Sequence, residues 1–431
     1  MLNGIKKIKI PKNPFVLFAP FLLLYIVLII IFPTDGMFGD ESRYLIYAEY
    51  IIKFFHPDII DGFDYLGNGP GYPVILVPFV ALHLPFICIT LLNAVFYYFS
   101  IVLLFKTLIQ FTSFTSALVV SLFWACYYNL YEYLMLIYTE TFITFLISLL
   151  VFCIVNAFKS GASKKSIYLA GIVFGYIALT KPIFGYILLC LLICMGLLWI
   201  MNRKVINYRK GILILIVALA TTSPYLIYTY HVTGKIFYWS SFGGNNLYWM
   251  STPFNGEYGD WIRDPVEINE SNPKYVKGYK AIITSNHQKD YEEINKYTGL
   301  ERDDAYKRIA IKNIKSHPAK FLENCFCNIG RILFNYPYSY TLQKTSTLIR
   351  IPLNGIITVL ALFCIIPTFK NWKKINFPIR FMLFMVLFYL GASVLGSAET
   401  RMFTMIVPIL LVWIAFIIQR TIRVNLKSWV N

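Results

Sequence analysis

The sequence predicts an all-α polytopic membrane protein with about ten transmembrane helices and a mixed extracytoplasmic loop region. Its 431 residues are 58% hydrophobic and only 14% charged, which excludes an ordinary soluble domain. Ten apolar runs are about as long as a helix must be to cross a hydrocarbon core of roughly 30 Å. Basic residues are concentrated between alternate runs, as in membrane proteins with a fixed orientation.

The first apolar run, Phe15–Phe32, is predicted to remain as a membrane anchor. It is too long for the apolar part of a signal peptide and lacks a small-residue cleavage site. The run at 167–180 is short for a span. The ten predicted spans are 15–33, 85–105, 114–134, 138–158, 167–180, 183–201, 211–229, 346–368, 379–396 and 403–419.

The segments between the spans separate the charges by sign. Those on the side of the termini contain 19 of the 39 Lys and Arg residues and none of the 22 Asp and Glu residues. The positive-inside rule therefore predicts that both termini are cytoplasmic. This topology explains the net charge of +17 without nucleic-acid binding, which we do not predict.

Two long segments, 34–84 and 231–345, are predicted to lie outside the cytoplasm. The apolar end of the first is too short to span and should form a shallow or re-entrant helix before Pro85. The predicted parts are an N-terminal membrane module at 1–235 containing the first loop, an extracytoplasmic loop region at 236–345, and C-terminal transmembrane helices at 346–431.

A helical pattern near the end of the loop region has two interpretations. Tyr306, Ile309, Ala310 and Ile314 recur at helical spacing with Lys and Arg between them. This pattern suits a helix lying on the membrane surface. A helix packed on its own domain fits it equally well. His317-Pro318 should end this helix before a second amphipathic one.

The first loop concentrates carboxylates beside the membrane, where charge is costly and often functional. If residues 40–53 are helical, Asp40, Arg43, Tyr44 and Tyr47 share one face. Asp40 at the helix start would stay ionised and could act as a general base, with Glu41 orienting a partner. The alternative, which spacing alone favours, is an N-cap aspartate with a surface ion pair. Seven of the 22 acidic residues lie here: Asp35, Asp40, Glu41, Glu49, Asp58, Asp61 and Asp64.

Four further charged residues are predicted at the extracytoplasmic ends of spans: Glu140, Lys181, Glu399 and Arg401. Interfacial charges are functional candidates. The alternatives are snorkelling for the two cations and a position beside a helix cap for Glu140. Acidic and basic groups from several loops on one face fit an anionic substrate at the interface.

The cysteines and histidines predict neither a disulfide framework nor a metal site. Six of the eight cysteines lie in apolar spans, where Cys behaves as a small hydrophobic residue. The five histidines show no metal-ligand spacing.

In chain order, the motifs resemble those of the GT-C glycosyltransferases, in particular the family-39-like group of protein O-mannosyltransferases and lipid A aminoarabinose transferases. GDESRYLIYAEYI resembles the acidic first-loop motif, and YLGNGPGYPVILVPF the tyrosine- and proline-rich stretch before the second span. YTETFITFL, ALTKP and SSFGGNNLYWM resemble the family's later acidic, basic and Gly-Asn segments. AIKNIKSHPAKFL resembles its membrane-surface helix, and ETRMFTMIVPILL the start of its last span.

This resemblance implies a GT-C-like fold and inverting transfer of a sugar from a polyprenyl-phosphate donor to an extracytoplasmic lipid, glycan or protein. It implies a multi-pass protein of the inner (plasma) membrane, with Asp40 as catalytic base and Glu41 in support. Lys181 and Arg401 are expected to bind the lipid phosphate. Many relatives have a basic residue where this chain has Asn68. The substrate-binding residues it implies are Arg43, Tyr44, Tyr65, Asn68, Tyr72, Glu140, Lys181, Glu399 and Arg401.

No cofactor is firmly implied, although a divalent cation could replace or assist Lys and Arg. The alternative function is a polyprenyl-linked lipid flippase or transporter, which would use the same spans and anionic-lipid site without making a bond. Against it, paired Gly/Pro-broken helices in corresponding halves of the sequence are not evident.

The predicted topology places residue 255 outside the cytoplasm and residue 160 inside it. Asn255→Cys should react with an impermeant thiol reagent in intact cells, whereas Ser160→Cys should react only after lysis. The parent chain, with its eight native cysteines, provides the background labelling. Protection of Asn255→Cys until lysis would contradict the ten-span topology.

Overall fold

The computed structural model describes residues 13–34, 37, 39–53, 64–202, 205–262, 276–342 and 346–421. Within these ranges the chain forms sixteen α-helices, and the predicted all-α polytopic membrane fold is confirmed. The helices are α1 (Pro14–Ile31), α2 (Glu41–Ile52), α3 (Gly71–Ala81), α4 (Phe86–Leu108), α5 (Phe114–Ala125), α6 (Glu140–Ala157), α7 (Lys164–Thr180), α8 (Ile183–Met201), α9 (Ile206–Thr233), α10 (Gly243–Met250), α11 (Tyr279–Ile294), α12 (Gly299–Ser316), α13 (Pro318–Phe334), α14 (Ser346–Lys370), α15 (Phe377–Leu395) and α16 (Thr400–Thr421). Short 3-10 helices cover Asp64–Gly67, Tyr128–Tyr133 and Trp372–Lys374.

Eight of the described helices are long and apolar enough to cross a membrane, and they coincide with eight of the ten predicted spans. They are α1, α4, α6, α8, α9, α14, α15 and α16. The other two predicted spans contain shorter helices. The run at 167–180 lies in α7, whose 17 residues extend ~25 Å. The run at 114–134 is not one helix, because α5 ends at Ala125.

Tyrosine hydroxyls allow α5 to end inside the apolar core. A helix terminus leaves carbonyl groups without partners, which is costly where water is excluded. Here the hydroxyl of Tyr25 donates to the carbonyl of Ala125 over 2.7 Å, and that of Tyr131 donates to the same oxygen over 2.9 Å. Tyr97 donates to the carbonyl of Trp124 over 2.5 Å. The chain can therefore turn there and continue in a 3-10 helix.

The two most enclosed candidate spans, α6 and α16, form the centre of the bundle. Of their apolar windows, 78% and 83% of the residues are buried, against 17% for α1 at the edge. The two helices pack on each other, and α4 packs on both. Glu140 and Thr400, their first residues, lie at the same end of the bundle, where both helices start. That end carries the charged residues singled out from the sequence.

The backbone of the first loop packs closely against the end of α7. An ideal Cβ at Gly69 would lie 2.0 Å from the carbonyl oxygen of Leu179, so only glycine fits. The predicted short apolar helix is present as α3, which packs on α2 and α7, and Pro85 precedes α4. The loop is thereby held beside Lys181, which follows α7 directly.

The described part of the loop region forms helices around a hydrophobic core of its own. Tyr306 and Ala310 of α12 are buried in that core, together with Tyr248 and Trp249 of α10. The apolar face of α12 therefore packs against this core, as the packed interpretation expects, and a position of the helix at the membrane surface stays a prediction. The pattern was ambiguous because a domain core and a bilayer select the same apolar face.

Helix α13 joins this region to the membrane bundle through a buried polar face. The side-chain amide of Asn328 donates to the carbonyls of Ser393 and Val394, over 2.9 and 3.1 Å. Its carbonyl oxygen accepts from the backbone N–H of Ala398 over 3.1 Å. Arg331, also fully buried, donates to the carbonyl of Tyr258 over 2.7 Å. These bonds fix the turn that leads into α16.

Candidate active site

Asp40 lies just before α2 and is held between two guanidinium groups. Its Oδ2 accepts a hydrogen bond from Nη1 of Arg401 over 2.9 Å, and its Oδ1 accepts one from Arg43. Asp40 occupies the N-cap position of α2 and forms the predicted ion pair with Arg43, but its side chain makes no capping hydrogen bond to the helix. Burial alone would raise the pKa of Asp40, but the charges of Arg401 and Arg43 outweigh it and lower the pKa to about 2.

Arg401, at the start of α16, contacts carboxylates from three segments. Besides Asp40, its Nη1 lies 3.8 Å from Oε1 of Glu140, and its Nε lies 3.0 Å from Oε2 of Glu399. Its guanidinium also lies over the ring of Tyr138, 5.7 Å from the centroid. The planar fork of an Arg side chain suits such multiple contacts.

Glu140 and Lys181 complete the cluster from neighbouring antiparallel helices. Glu140 opens α6 and is fully buried, and its Oε1 accepts from Nζ of Lys181 over 3.3 Å. Lys181 ends α7. The dipole of α6 favours a carboxylate at its N-terminus, and Lys181 and Arg401 supply the charge that burial requires.

The cluster holds three carboxylates and three cations, and all of them except the buried Glu140 are partly open to solvent. The exposed fraction of the side chain is 14% for Asp40 and 18% for both Lys181 and Arg401. Glu399 is half-exposed at the rim. The remaining members are Arg43 and Glu140.

Glu41 has a different neighbour from Asp40. It is buried, and its Oε1 accepts the backbone N–H of Ile137 over 2.7 Å. Glu41 therefore ties the first loop to the segment that leads into Glu140. This is consistent with a supporting role for Glu41.

The predicted aromatic residues are only partly assembled at the cluster. Tyr44 and Tyr72 are buried and pack edge to face, with ring centroids 5.3 Å apart. The hydroxyl of Tyr72 has no hydrogen-bond partner among the described residues. Asn68 is half-buried in the same loop. The side chain of Tyr65 lies outside the described residues, as do Asp35, Asp58 and Asp61.

Three neighbours of the cluster were missed in the sequence. Tyr138 accepts the backbone N–H of Asp40 over 3.4 Å, and Phe242 lies against Arg43, with the guanidinium 5.1 Å from its ring centroid. Asn93, buried in α4, donates to the carbonyl of Leu136 over 2.8 Å and so braces the chain before Glu140. The available signals were the motifs YTETFITFL and SSFGGNNLYWM, which contain Tyr138 and Phe242.

The described carboxylates near the site do not form a metal site. Among these residues no group of three or more His, Cys, Asp or Glu side chains could hold a metal ion. Both oxygens of Asp40 already accept from Arg side chains, and Glu140 is paired with Lys181.

No family model matches the chain, and no curated protein matches it. Among solved structures, ArnT from Cupriavidus metallidurans bound to undecaprenyl phosphate is 12% identical, with a TM-score of 0.40 over 94% of this chain and 77% of that one. The apo structure of the same ArnT is likewise 12% identical, with a TM-score of 0.39 and the same coverage of both chains. The archaeal oligosaccharyltransferase AglB from Archaeoglobus fulgidus, in complex with an inhibitory peptide and a dolichol-phosphate, is 11% identical, with a TM-score of 0.47 over 94% and 50% of the chains. Both proteins are GT-C membrane glycosyltransferases, the group that the motifs resemble.

The pairing of Asp40 predicts a specific pH dependence of stability. The pKa of Asp40 is lowered in the folded protein, so its contribution is present above its usual value of 3.8 and is lost as the pH falls towards 2. In Arg401→Met, burial is less opposed and the folded pKa should exceed the unfolded one. The variant should then lose stability as the pH rises from about 4 to 7, by about 1.4 kcal/mol for each pKa unit of excess.

Thermal unfolding of the detergent-purified protein, followed across this pH range, measures the effect. The double variant Asp40→Asn/Arg401→Met is the control. It also lacks the contacts of Arg401 with Glu140 and Glu399, but it has no titrating carboxyl group at position 40. Equal pH dependence in the single and double variants would show that Asp40 does not depend on Arg401.

Proposed function

We propose that the protein is an inverting glycosyltransferase that moves a sugar from a polyprenyl-phosphate donor to an extracytoplasmic acceptor. The observation that carries this proposal is the cluster in which Asp40 contacts Arg43 and Arg401, with Lys181 nearby on Glu140. It provides an ionised carboxylate beside several cations at one end of a membrane bundle. A base and an anion site in contact are what transfer from a lipid phosphate requires.

Lys181 and Arg401 are the proposed partners of the donor phosphate, with Arg43 as a third cation. Each is now neutralised by a carboxylate, and Arg side chains bind phosphate in the same two-pronged way as carboxylate. Donor binding would therefore exchange a carboxylate for phosphate. Glu140, which lies within 3.8 Å of both Lys181 and Arg401, would keep their side chains in position.

The exchange gives Asp40 the properties of a base. A carboxylate with a pKa of about 2 accepts a proton poorly near neutral pH. When phosphate draws Arg401 or Arg43 away, burial is no longer fully opposed and the pKa of Asp40 rises. The donor would thus activate the base, and in its absence Asp40 would stay neutralised by its Arg partners.

The proposed reaction is a single displacement. The acceptor O–H or N–H attacks the anomeric carbon and forms a new bond there, while the bond from that carbon to the phosphate oxygen breaks. The electron pair leaves with polyprenyl phosphate, whose negative charge the cations stabilise. The acceptor proton passes to Asp40. Attack opposite the leaving group inverts the anomeric centre.

The proposed location follows from the charges of the loops. Both termini would be cytoplasmic and the cluster extracytoplasmic, in the inner (plasma) membrane, because the basic loops lie at the other ends of the spans. Glu41 would support Asp40 by holding the first loop against the segment before α6. Tyr44, Asn68 and Tyr72 remain proposed substrate contacts.

An assay of purified protein with labelled lipid-linked sugar distinguishes sugar transfer from transport of the intact donor. Release of polyprenyl phosphate with inversion at the sugar supports the proposed reaction. Movement of intact donor between leaflets without cleavage would support the flippase alternative and contradict it.

Asp40→Asn tests the base. The amide is nearly isosteric but cannot accept the proton, so turnover should fall by about 10²–10⁴-fold while donor binding persists. Glu41→Gln should keep partial activity. Asp304→Asn is the matched control, since Asp304 pairs with Lys235 in the loop region, 2.7 Å away, and should behave like the parent. Near-parental transfer by well-folded Asp40→Asn would remove Asp40 from the catalytic role.

Lys181→Ala tests the phosphate site. It should raise the KM for the lipid donor, because a charge-assisted contact of roughly 1.5–3 kcal/mol is lost. Lys181→Arg should be milder, since the two cations differ in geometry. Arg401→Ala should weaken donor use as well, and Lys235→Ala, which removes a cation from the same side, should leave it unchanged. If Lys181→Ala and Arg401→Ala both keep parental donor dependence, the two cations only anchor the interface.

A further inference from the structure

A cavity of about 140 Å³ lies between α10, α12 and the chain around residue 261. It is smaller than the ~300–1,000 Å³ pockets that hold drug-sized ligands, and it suits a single ring. Its walls combine aromatic and polar side chains. Those used below are Phe242, Trp249, Trp261, Tyr306, Asn245 and Asp303.

The aromatic walls provide flat faces at several angles. Trp249 and Tyr306 are buried in the core of the region, whereas Trp261 has 45% of its surface exposed. The face of an aromatic ring carries partial negative charge and attracts the weakly positive C–H groups of another molecule. A sugar ring presents such C–H groups on its flat faces.

The polar walls provide the complementary hydrogen-bonding groups. The side-chain carbonyl of Asn245 is buried and has no hydrogen-bond partner among the described residues, although buried polar atoms normally have one. Asp303 accepts the backbone N–H of Gly244 over 2.8 Å and that of Asn245 over 3.1 Å, which fixes its carboxylate at the cavity. Such groups suit the hydroxyls of a sugar better than an apolar ligand.

The wall of the cavity is also in contact with the proposed active site. Phe242 lies against the guanidinium of Arg43, whose other contact is Asp40. An ideal Cβ at Gly67 would lie 2.1 Å from the Phe242 ring, so the first loop packs closely against this ring. Two side chains therefore separate the cavity from the carboxylate of Asp40.

We propose that this cavity binds a sugar ring of the acceptor, which makes the acceptor a glycan rather than a protein or a simple lipid. The proposal rests on the transferase function above. Because Phe242 and Arg43 separate the cavity from Asp40, the ring bound here would be a neighbouring unit of the acceptor glycan and not the unit that reacts. It would hold the glycan beside the cluster so that the next unit reaches Asp40.

Ligand-observed saturation-transfer NMR on the full chain tests sugar binding directly. The protein is held in lipid nanodiscs free of glycosidic detergents, and the probes are methyl glycosides of glucose, galactose, mannose and N-acetylglucosamine. At least one probe should receive saturation. Trp261→Ala and Asn245→Ala should each lower that signal at least severalfold. Tyr230→Ala, which removes an exposed aromatic ring outside the cavity, should not.

Absence of saturation for every probe, or equal signals in the parent and in both cavity variants, would overturn the proposal. A disaccharide glycoside that contains the bound sugar is then used as acceptor with the lipid donor, because a second unit is needed to reach Asp40 past Phe242 and Arg43. Trp261→Ala should raise the acceptor KM at least tenfold with an unchanged donor KM, and an unchanged acceptor KM would contradict acceptor binding here. If the parent binds the glycoside but releases no polyprenyl phosphate, the transferase function fails and the sugar site remains.

Discussion

The structure depends on a constraint at Arg401: charges taken out of water must be neutralised by partners of opposite sign. Arg401 contacts carboxylates from the first loop, from α6 and from the turn before α16. Removing one partner of such a group is costly, because the remaining charge stays buried without compensation. The cluster therefore aligns the two central helices and the first loop at one end of the bundle. Glu140 extends it to the end of α7 through Lys181.

Under the proposed function, the same constraint would serve to bind an anionic donor, whose phosphate would replace a carboxylate at one of the cations. Replacement would free Asp40 from a cation at the moment when a base is needed. The electrostatic pairing that lowers the pKa of Asp40 would thereby couple donor binding to catalysis.

Buried polar side chains fix the position of the loop region relative to this cluster. Asn328 and Arg331 of α13 bond to backbone groups on both sides, and the hydroxyl of Thr400 donates to the carbonyl of Arg331 over 2.8 Å. Arg401 is the next residue. The aromatic cavity lies in the same loop region, and its wall residue Phe242 contacts Arg43 of the cluster. These hydrogen bonds thus fix the position of the proposed acceptor site relative to the proposed phosphate site.

The sequence by itself determined the properties that are local or additive along the chain. Apolar run length predicted ten spans, eight of which coincide with described helices that are long and apolar enough to cross a membrane, and the i, i+3 spacing predicted the pair of Asp40 and Arg43. Tertiary structure decided what depends on neighbours distant in sequence. It joined Asp40 to Arg401 across 361 positions, ended α5 where tyrosine hydroxyls could take its carbonyls, and buried α12 in a separate core. Periodicity shows which face of a helix is apolar, but it contains no information about which surface will cover that face. The cavity beside Phe242 likewise exists only because three separate segments meet.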